Sequence, residues 1–336
     1  MAAKKPNPGK DLYRHFRSIP WLQLWEKEVP RFDQATPQER VRQVTLIRAL
    51  GAGFADSAPP SLHEPVRAWL RNLLHDPEEK IRRYALTALP KTGASQTEEK
   101  QILSLLQSPS TEREKKHVSR ALEKIGGAAT LAQVSTDPSL SRFTEQRAKA
   151  NLARQLNPTS IRMDSLLPAG EPVTLVLRCR PGFETILGEE LSTLSIPHRI
   201  TGRKTGWVSV SMPEPFRLSD LYALRCFSTL SFLLGTIPKK PDPEAAAAIA
   251  TALTAPLSRR LLAAFTQGPL RYRLEFVAQG HRRGLVHAVV KKTYDLWPEL
   301  LNDSREAPWA VEIHPGATGQ TVELRPRLTP DPRFPY

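Results

Sequence analysis

The spacing of apolar residues changes along this chain, and the change limits the folds that the chain can adopt. Up to about residue 156, apolar residues recur at steps of three and four, as in Val41, Val44 and Ile47. These steps place apolar side chains on one face of a helix. Beyond residue 171 they alternate, as in Val173 and Leu175, which is typical of strands. The sequence therefore predicts a helical part followed by an α/β part.

The helical part carries a weak internal repeat. Leucines 50, 89, 122 and 152 end similar helical segments, at spacings of 39, 33 and 30 residues. Periods of this length are typical of paired-helix solenoids. The segment 76–89 resembles the second helix of a HEAT repeat, which implies a HEAT-like solenoid; another kind of helical bundle is the alternative.

The second part reads as two α/β units. The first has the order β-α-β-β-α-β, which is the ferredoxin-like arrangement. Proline-rich segments mark the joints between the parts. The predicted domains are an N-terminal arm with a short helix over 1–37, the HEAT-like domain over 38–156, a linker over 157–171, the ferredoxin-like domain over 172–237, a further α/β domain over 244–327, and a linking segment over 328–336.

The charge favours an anionic partner. The net charge is +14. Residues 1–170 contribute +9 (27 Lys and Arg against 18 Asp and Glu) and residues 171–336 contribute +5 (21 against 16), so the excess is not confined to one tail. Nucleic acid is the commonest partner of a basic globular protein.

Other sequence features exclude several classes of protein. Two cysteines are too few for a disulfide framework or a cysteine-rich zinc site, and they suit a reducing compartment. The first ten residues lack the apolar core of a signal peptide, and no apolar run is long enough for a membrane helix. A cytoplasmic protein without a membrane partner is expected.

Several segments of the second part resemble a known family. Leu-Arg-Cys-Arg-Pro-Gly-Phe-Glu at 177–184, with the helix that ends in Glu-Leu at 190–191, resembles the start of THUMP-containing RNA methyltransferases. The segments 221–234 and 272–292 are similar to the parts that follow in that family, and 301–327 is similar to the close of its THUMP domain. The resemblance spans about 172–336 and rests on the order of the segments and their residue types rather than on one invariant string. It implies that the α/β domain predicted over 244–327 is an RNA-binding THUMP domain.

The resemblance implies an RNA-related role without catalysis in this chain. THUMP domains bind RNA in enzymes that modify tRNA or rRNA, and a catalytic domain follows with an S-adenosylmethionine loop and an Asn/Asp-Pro-Pro-aromatic motif. This sequence has neither Gly-x-Gly-x-x-Gly nor that second motif; the nearest match, 331–334, lacks the second proline.

The expected role follows from that comparison. It is binding of tRNA or rRNA, as the substrate-recognition part of an S-adenosylmethionine-dependent methyltransferase whose catalytic domain is not in this chain. No cofactor is expected here, and S-adenosylmethionine only where a catalytic domain follows. A HEAT-repeat scaffold that binds a protein partner, without any RNA-modifying role, is the alternative.

Pairs of basic residues are the predicted RNA contacts, because guanidinium and ammonium groups bind phosphate. A solvated surface is the alternative for each pair. Arg282 and Arg283 are placed on a loop beside His281, so their replacement should leave folding intact. Trp309 is predicted to fill the core rather than to stack on a base. The predicted contacts are Arg282, Arg283, Lys291, Lys292, Arg203, Lys204, Arg325 and Arg327.

Overall fold

The structure is a computed structural model that describes residues 8–107, 111–137, 140–213, 215–280, 282–316 and 319–334. Two compact units divide the chain, Met1–Leu152 and Ala153–Tyr336. The division falls inside a helix rather than in the linker predicted for 157–171. His281 and residues 1–7 of the predicted arm lie outside the described residues.

The described secondary structure of the first unit is helical. Its helices are α1 (Pro8–Ser18), α2 (Trp21–Gln23), α3 (Val29–Gln34), α4 (Pro37–Gln43), α5 (Thr45–Ser57), α6 (His63–Leu73), α7 (Glu79–Ala88), α8 (Gln96–Ser104), α9 (Glu112–Ile125), α10 (Ala128–Val134) and α11 (Arg142–Leu156), the last of which contains the boundary between the units. Helix α5 packs against α1 and α7, and α7 packs against α9. The HEAT-like assignment stays a prediction.

Residues 8–34 belong to the helical core. The apolar residues of 12–25 predict a short helix or turn that packs on the next domain, and the structure has helices α1 to α3 over 8–34. Phe16, Trp21 and Phe32 are buried, and the Trp21 indole N–H donates to the carbonyl of Leu50 at 2.9 Å. Three large aromatic side chains in this short segment remove enough apolar surface from water to hold it against the following helices.

Buried ion pairs connect successive parts of the first unit. The carboxylate of Glu98 accepts from Arg71 at 2.6 Å, and Glu114 accepts from Arg82 at 2.5 Å. Both glutamate side chains are almost fully buried. Without its arginine, each buried carboxylate would destabilise the fold by the large free energy needed to take a charge out of water. Each ion pair therefore constrains which helices can be neighbours.

The second unit contains a layer of helices on a mixed eight-stranded sheet, and a further sheet of two strands. Its strands are β1 (Ser160–Ile161), β2 (Val173–Arg178), β3 (Arg199–Lys204), β4 (Trp207–Met212), β5 (Thr229–Pro238), β6 (Thr266–Gln267), β7 (Arg271–Phe276), β8 (Leu301–Asn302), β9 (Trp309–Pro315) and β10 (Gly319–Pro326). Its helices are α12 (Glu184–Leu191), α13 (Leu218–Leu221), α14 (Asp242–Thr254), α15 (Pro256–Phe265) and α16 (Arg283–Leu296).

One sheet joins the two α/β domains that the sequence separated. The order of its eight strands is β3-β4-β2-β5-β10-β9-β7-β8. Strand β5, from the first predicted domain, pairs antiparallel with β10, from the second, with Phe232 opposite Leu324. The boundary predicted over 238–243 is therefore a connection within one structural layer. Pairing between strands that are distant in sequence depends on tertiary packing, so the local sequence pattern does not predict it.

The predicted linker 157–171 is part of the second unit. Strand β1 pairs with β6, and Leu166 forms a bridge with Arg217. Helix α13 is short and ends at Leu221. The backbone N–H groups of Arg225 and Cys226 donate to the Glu190 carboxylate at 2.7 and 2.8 Å, which satisfies them outside a helix.

The core of the second unit lies on one side of the sheet. Helices α12 to α16 all contribute side chains to a single apolar cluster with alternate residues of the strands, such as Leu175, Val210 and Leu324. Trp309 lies in this cluster, fully buried, and its indole N–H donates to the Thr266 hydroxyl at 2.9 Å. Its predicted place in the core is confirmed. Among the described residues, none of the helices is both long and apolar enough to span a membrane.

Candidate nucleic-acid interface

The strand side chains that face away from α12–α16 form a polar surface. In β4, Val208 and Val210 belong to the apolar cluster, whereas Trp207 and Ser209 alternate with them and are partly exposed. Along β2, β5, β9 and β10 the apolar cluster likewise takes alternate residues, but several of the residues between them are also buried, namely Val176, Ser231, Ala310, Glu312 and Glu323. We call this surface the open face of the sheet.

An aromatic residue with basic neighbours lies at one end of the open face. Lys204 is directly opposite Trp207, Trp207 is opposite Arg178, and Arg178 is opposite Thr229. Cross-strand partners point to the same face of a sheet. The Lys204 ammonium lies 5.6 Å from the centre of the Trp207 ring. We call these four residues, which cross β3, β4, β2 and β5, the Trp207 row.

Charged side chains continue across the open face. The Arg178 guanidinium binds the Glu323 carboxylate through two hydrogen bonds, of 2.6 and 2.8 Å. The Ser231 hydroxyl donates to the same carboxylate at 2.5 Å. Burial raises the pKa of Glu323, but the bonds from Arg178 and Ser231 outweigh burial and hold that pKa below its usual value.

A second ion pair lies beside the first. Arg325 Nε donates to Glu312 at 2.5 Å. His314 Nε2 lies 3.0 Å from Glu312 and 3.6 Å from Glu323. Burial raises the pKa of Glu312, but hydrogen bonds with His314 and Arg325 lower it to about 2. Both carboxylates are therefore ionised at neutral pH.

The same residues have the ligand types of a divalent cation site. Ligand atoms of Glu312, His314 and Glu323 lie within 4.8 Å of one another. Each carboxylate is already neutralised by an arginine, Arg325 or Arg178. A cation would have to compete with both guanidinium groups, so the arrangement favours a charge network over a metal centre.

A basic pocket of about 150 Å³ lies where β10 ends. Its walls come from the first residues of β5, from the chain that leaves β10, and from the segment around Tyr222. We call it the Arg327 pocket. Its lining residues are Tyr222, Ser228, Thr229, Leu230, Arg325, Pro326, Arg327, Leu328, Thr329, Asp331 and Arg333.

Some of the predicted contacts meet at these sites. Lys204 is part of the Trp207 row. Arg325 and Arg327 both line the Arg327 pocket. Arg203 is exposed but lies on the other side of β3, opposite Val208 and close to Gly188 of α12. Adjacent residues of a strand point to opposite faces, which separates Arg203 from Lys204.

The other predicted contacts belong to α16, in the helical layer. Arg283, Lys291 and Lys292 are exposed. Arg282 is not a free loop residue: it forms an ion pair with Asp242, donates to Gln279 at 3.2 Å and lies 5.4 Å from the centre of the Phe276 ring. It links the starts of α14 and α16 to the end of β7. The predicted basic pairs are therefore divided between two faces.

Sequence reasoning missed the residues that give the open face its character. Trp207, Arg178 and Thr229 were not among the predicted contacts. A signal was present, because Val208, Val210 and Met212 alternate on one face and so place Trp207 on the other. The alternation shows the side of the strand but not which side the helices cover.

Comparisons with known proteins give a limited result. No protein-family model matches the chain, and no curated protein matches it. The similar solved structures include TrmN from Thermus thermophilus (17% identity, 46% of this chain and 45% of that one, TM-score 0.33), a possible methylase from Clostridium difficile 630 (15%, 46% and 41%, 0.31), and a 4-thiouridine synthetase in complex with RNA and bound ATP (13%, 47% and 42%, 0.32). The chain spans less than half the length of each. Similarity at this level does not by itself assign the chain to a family.

Proposed function

We propose that the second unit binds RNA and that a single-stranded segment of the RNA lies on the open face of the sheet. The observation that carries this proposal is the Trp207 row. Trp207 is partly exposed on the sheet, with Lys204 on one side and Arg178 on the other. An aromatic ring beside basic groups suits a base that stacks and a phosphate that is neutralised.

The charge of the unit supports an anionic partner. Residues 153–336 hold 23 Lys and Arg against 17 Asp and Glu, a net charge of +6. On the open face, Arg178 is paired with Glu323, whereas Lys204 has the Trp207 ring as its described contact. Lys204 is therefore available to a phosphate.

The role within an RNA-modifying enzyme is the finer part of the proposal. The THUMP-like segments support substrate recognition for an S-adenosylmethionine-dependent methyltransferase that acts on tRNA or rRNA. Neither methyltransferase motif occurs in the sequence, so the proposed role of this chain is recognition and not methyl transfer. The helical unit would add a further surface for RNA or for a protein.

The test is RNA binding by the full chain, measured by fluorescence anisotropy at low salt. The probe is a structured RNA with a single-stranded end. Trp207→Ala should weaken binding about tenfold or more, since a stacked base contributes about 1–3 kcal/mol. Phe183→Ala is the matched control, because Phe183 is an exposed aromatic residue at the start of α12 in the helical layer.

The outcomes separate the alternatives. Equal binding by Trp207→Ala and the parent would remove the open face as the site. Failure of the parent to bind any RNA at low salt would overturn the RNA proposal and leave the protein-interaction scaffold as the function to test.

A further inference from the structure

The Arg327 pocket contains more hydrogen-bond donors than its own residues use. Arg327 donates to the carbonyl of Ala307 at 2.6 Å, and no ion pair between described residues involves it. Arg325 binds Glu312 through Nε, while its Nη groups carry four further N–H donors. Guanidinium groups converge here from two positions of one short segment.

Hydroxyl groups complete the donor set. Thr229 and Tyr222 both line the pocket. Burial raises the pKa of the Tyr222 phenol, Arg333 lowers it and Asp331 raises it, and together these effects bring the pKa to about 12. The phenol is therefore protonated at neutral pH and can donate a hydrogen bond to an anion.

Arg333 is a positioning residue for the pocket wall. It pairs with Asp331 at 2.7 Å, donates to the carbonyl of Phe227, and lies 3.9 Å from the centre of the Phe227 ring. Its guanidinium is buried and its charge is offset by Asp331. This anchor holds the segment after β10 against the start of β5.

The charge balance leaves room for one anion. Three arginines line or anchor the pocket, and two carboxylates, Glu312 and Asp331, pair with Arg325 and Arg333. The charge of Arg327 remains. The pocket volume of about 150 Å³ is large enough to admit a tetrahedral oxyanion.

We infer that the Arg327 pocket binds a phosphate group, held by Arg327 and Arg325 together with the Thr229 and Tyr222 hydroxyls. The inference rests on the proposed RNA binding for the source of that phosphate. Thr229 belongs both to the pocket and to the Trp207 row, so a strand stacked on Trp207 has its backbone beside the pocket. A terminal phosphate of the strand and free inorganic phosphate share this chemistry.

The first experiment measures inorganic phosphate binding to the full chain by calorimetry, in chloride buffer of matched ionic strength. Arg327→Gln should weaken binding about tenfold or more, because a charged hydrogen bond is lost. Tyr222→Phe and Thr229→Val, which remove only a hydroxyl, should each weaken it about threefold or more. Arg305→Gln, at an exposed arginine outside the pocket, should bind as the parent does.

The second experiment separates the sources of the phosphate. RNA oligonucleotides with and without a 5′-phosphate are compared by anisotropy, with inorganic phosphate as competitor. A preference for the 5′-phosphate that Arg327→Gln abolishes identifies a strand terminus as the ligand. Phosphate binding that depends on Arg327, with no effect on RNA, identifies a free anion as the ligand.

The outcomes for the pocket and for RNA binding are independent. Absence of phosphate binding by the parent, or equal binding by parent and Arg327→Gln, overturns the pocket proposal whatever RNA does. If phosphate binds in an Arg327-dependent way and no RNA binds, the pocket stands and the proposed function fails. Unchanged thermal melting of Arg327→Gln excludes misfolding as the cause of a loss.

Discussion

Arg178 on β2 binds Glu323 on β10 through two hydrogen bonds, although β5 lies between their strands. The two residues are 145 positions apart and come from the two α/β domains that the sequence predicted as separate. Ser231, on the intervening strand, donates to the same carboxylate. This contact therefore crosses the β5–β10 pairing and links both parts of the sheet.

Breaking this pair should destabilise the second unit. The Glu323 side chain is 2% exposed and that of Arg178 25%, so Glu323→Gln should lower the free energy of unfolding by about 2 kcal/mol. The double variant Arg178→Met with Glu323→Leu should lose less free energy of unfolding than the sum of the losses of Arg178→Met alone and Glu323→Leu alone, because the double variant leaves no buried charge unpaired. Urea unfolding followed by circular dichroism measures both. Additive losses would show that the residues do not interact.

Acid should weaken the second unit through Glu312. Its pKa is about 2 in the folded chain against an ordinary value of 4.5. A lowered pKa means that its stabilising effect is complete above about pH 4.5 and is lost as the pH falls toward 2. Glu312→Gln should therefore show a shallower loss of stability over this window, whereas Glu299→Gln, at an exposed position, should follow the parent. Parallel curves for all three proteins would contradict this role.

Salt should distinguish the open face from α16. Each phosphate contact made to a single strand contributes about 0.7 to the slope of log affinity against log salt. Lys204→Gln should reduce the slope of RNA binding by about that amount, while Lys292→Gln, on α16, should leave it unchanged. The reverse result would move the RNA contact to the helical layer and restore the contacts predicted there.

Arg282 and Arg283 should behave differently although they are adjacent. Arg282 joins Asp242, Gln279 and Phe276, so Arg282→Ala should lower the free energy of unfolding by about 1 kcal/mol. Arg283→Ala removes an exposed side chain and should stay within about 0.5 kcal/mol of the parent. Thermal and urea unfolding of the parent and of both variants measure these differences. Equal stability of both variants would support the free loop pair that the sequence predicted.

Two helical glycines should respond to alanine with opposite signs. A Cβ at Gly51 of α5 would lie 2.8 Å from the Ala88 Cβ, so Gly51→Ala should destabilise the first unit by about 1 kcal/mol. A Cβ at Gly284 of α16 meets open space among the described residues, so Gly284→Ala should stabilise by about 0.5 kcal/mol. Urea unfolding checks both, and a stable Gly51→Ala would mean that α5 and α7 can move apart.

The sequence alone determined the properties that depend on local periodicity and composition. The steps of three and four before residue 157 predict helices, and alternation beyond residue 171 predicts strands, because side-chain direction repeats with the backbone period. Pro256 predicts a break or kink in the helix of residues 244–265, because proline disrupts a helix interior, and α14 ends at Thr254 while α15 begins at Pro256. The net charge also predicts an anionic partner from the sequence alone, because net charge depends on composition and not on the fold.

The tertiary structure decided which of these segments meet. The pairing of β5 with β10, with Phe232 opposite Leu324, makes one sheet of the two predicted domains. The same pairing brings Arg178 to Glu323 and places Thr229 beside Arg327. The tertiary structure also decides which face of β3 the helices cover, so that Arg203 lies close to α12 and Lys204 lies on the open face. Local pattern could not supply these relations, because the free energy that selects one strand partner over another comes from packing between residues far apart in the chain.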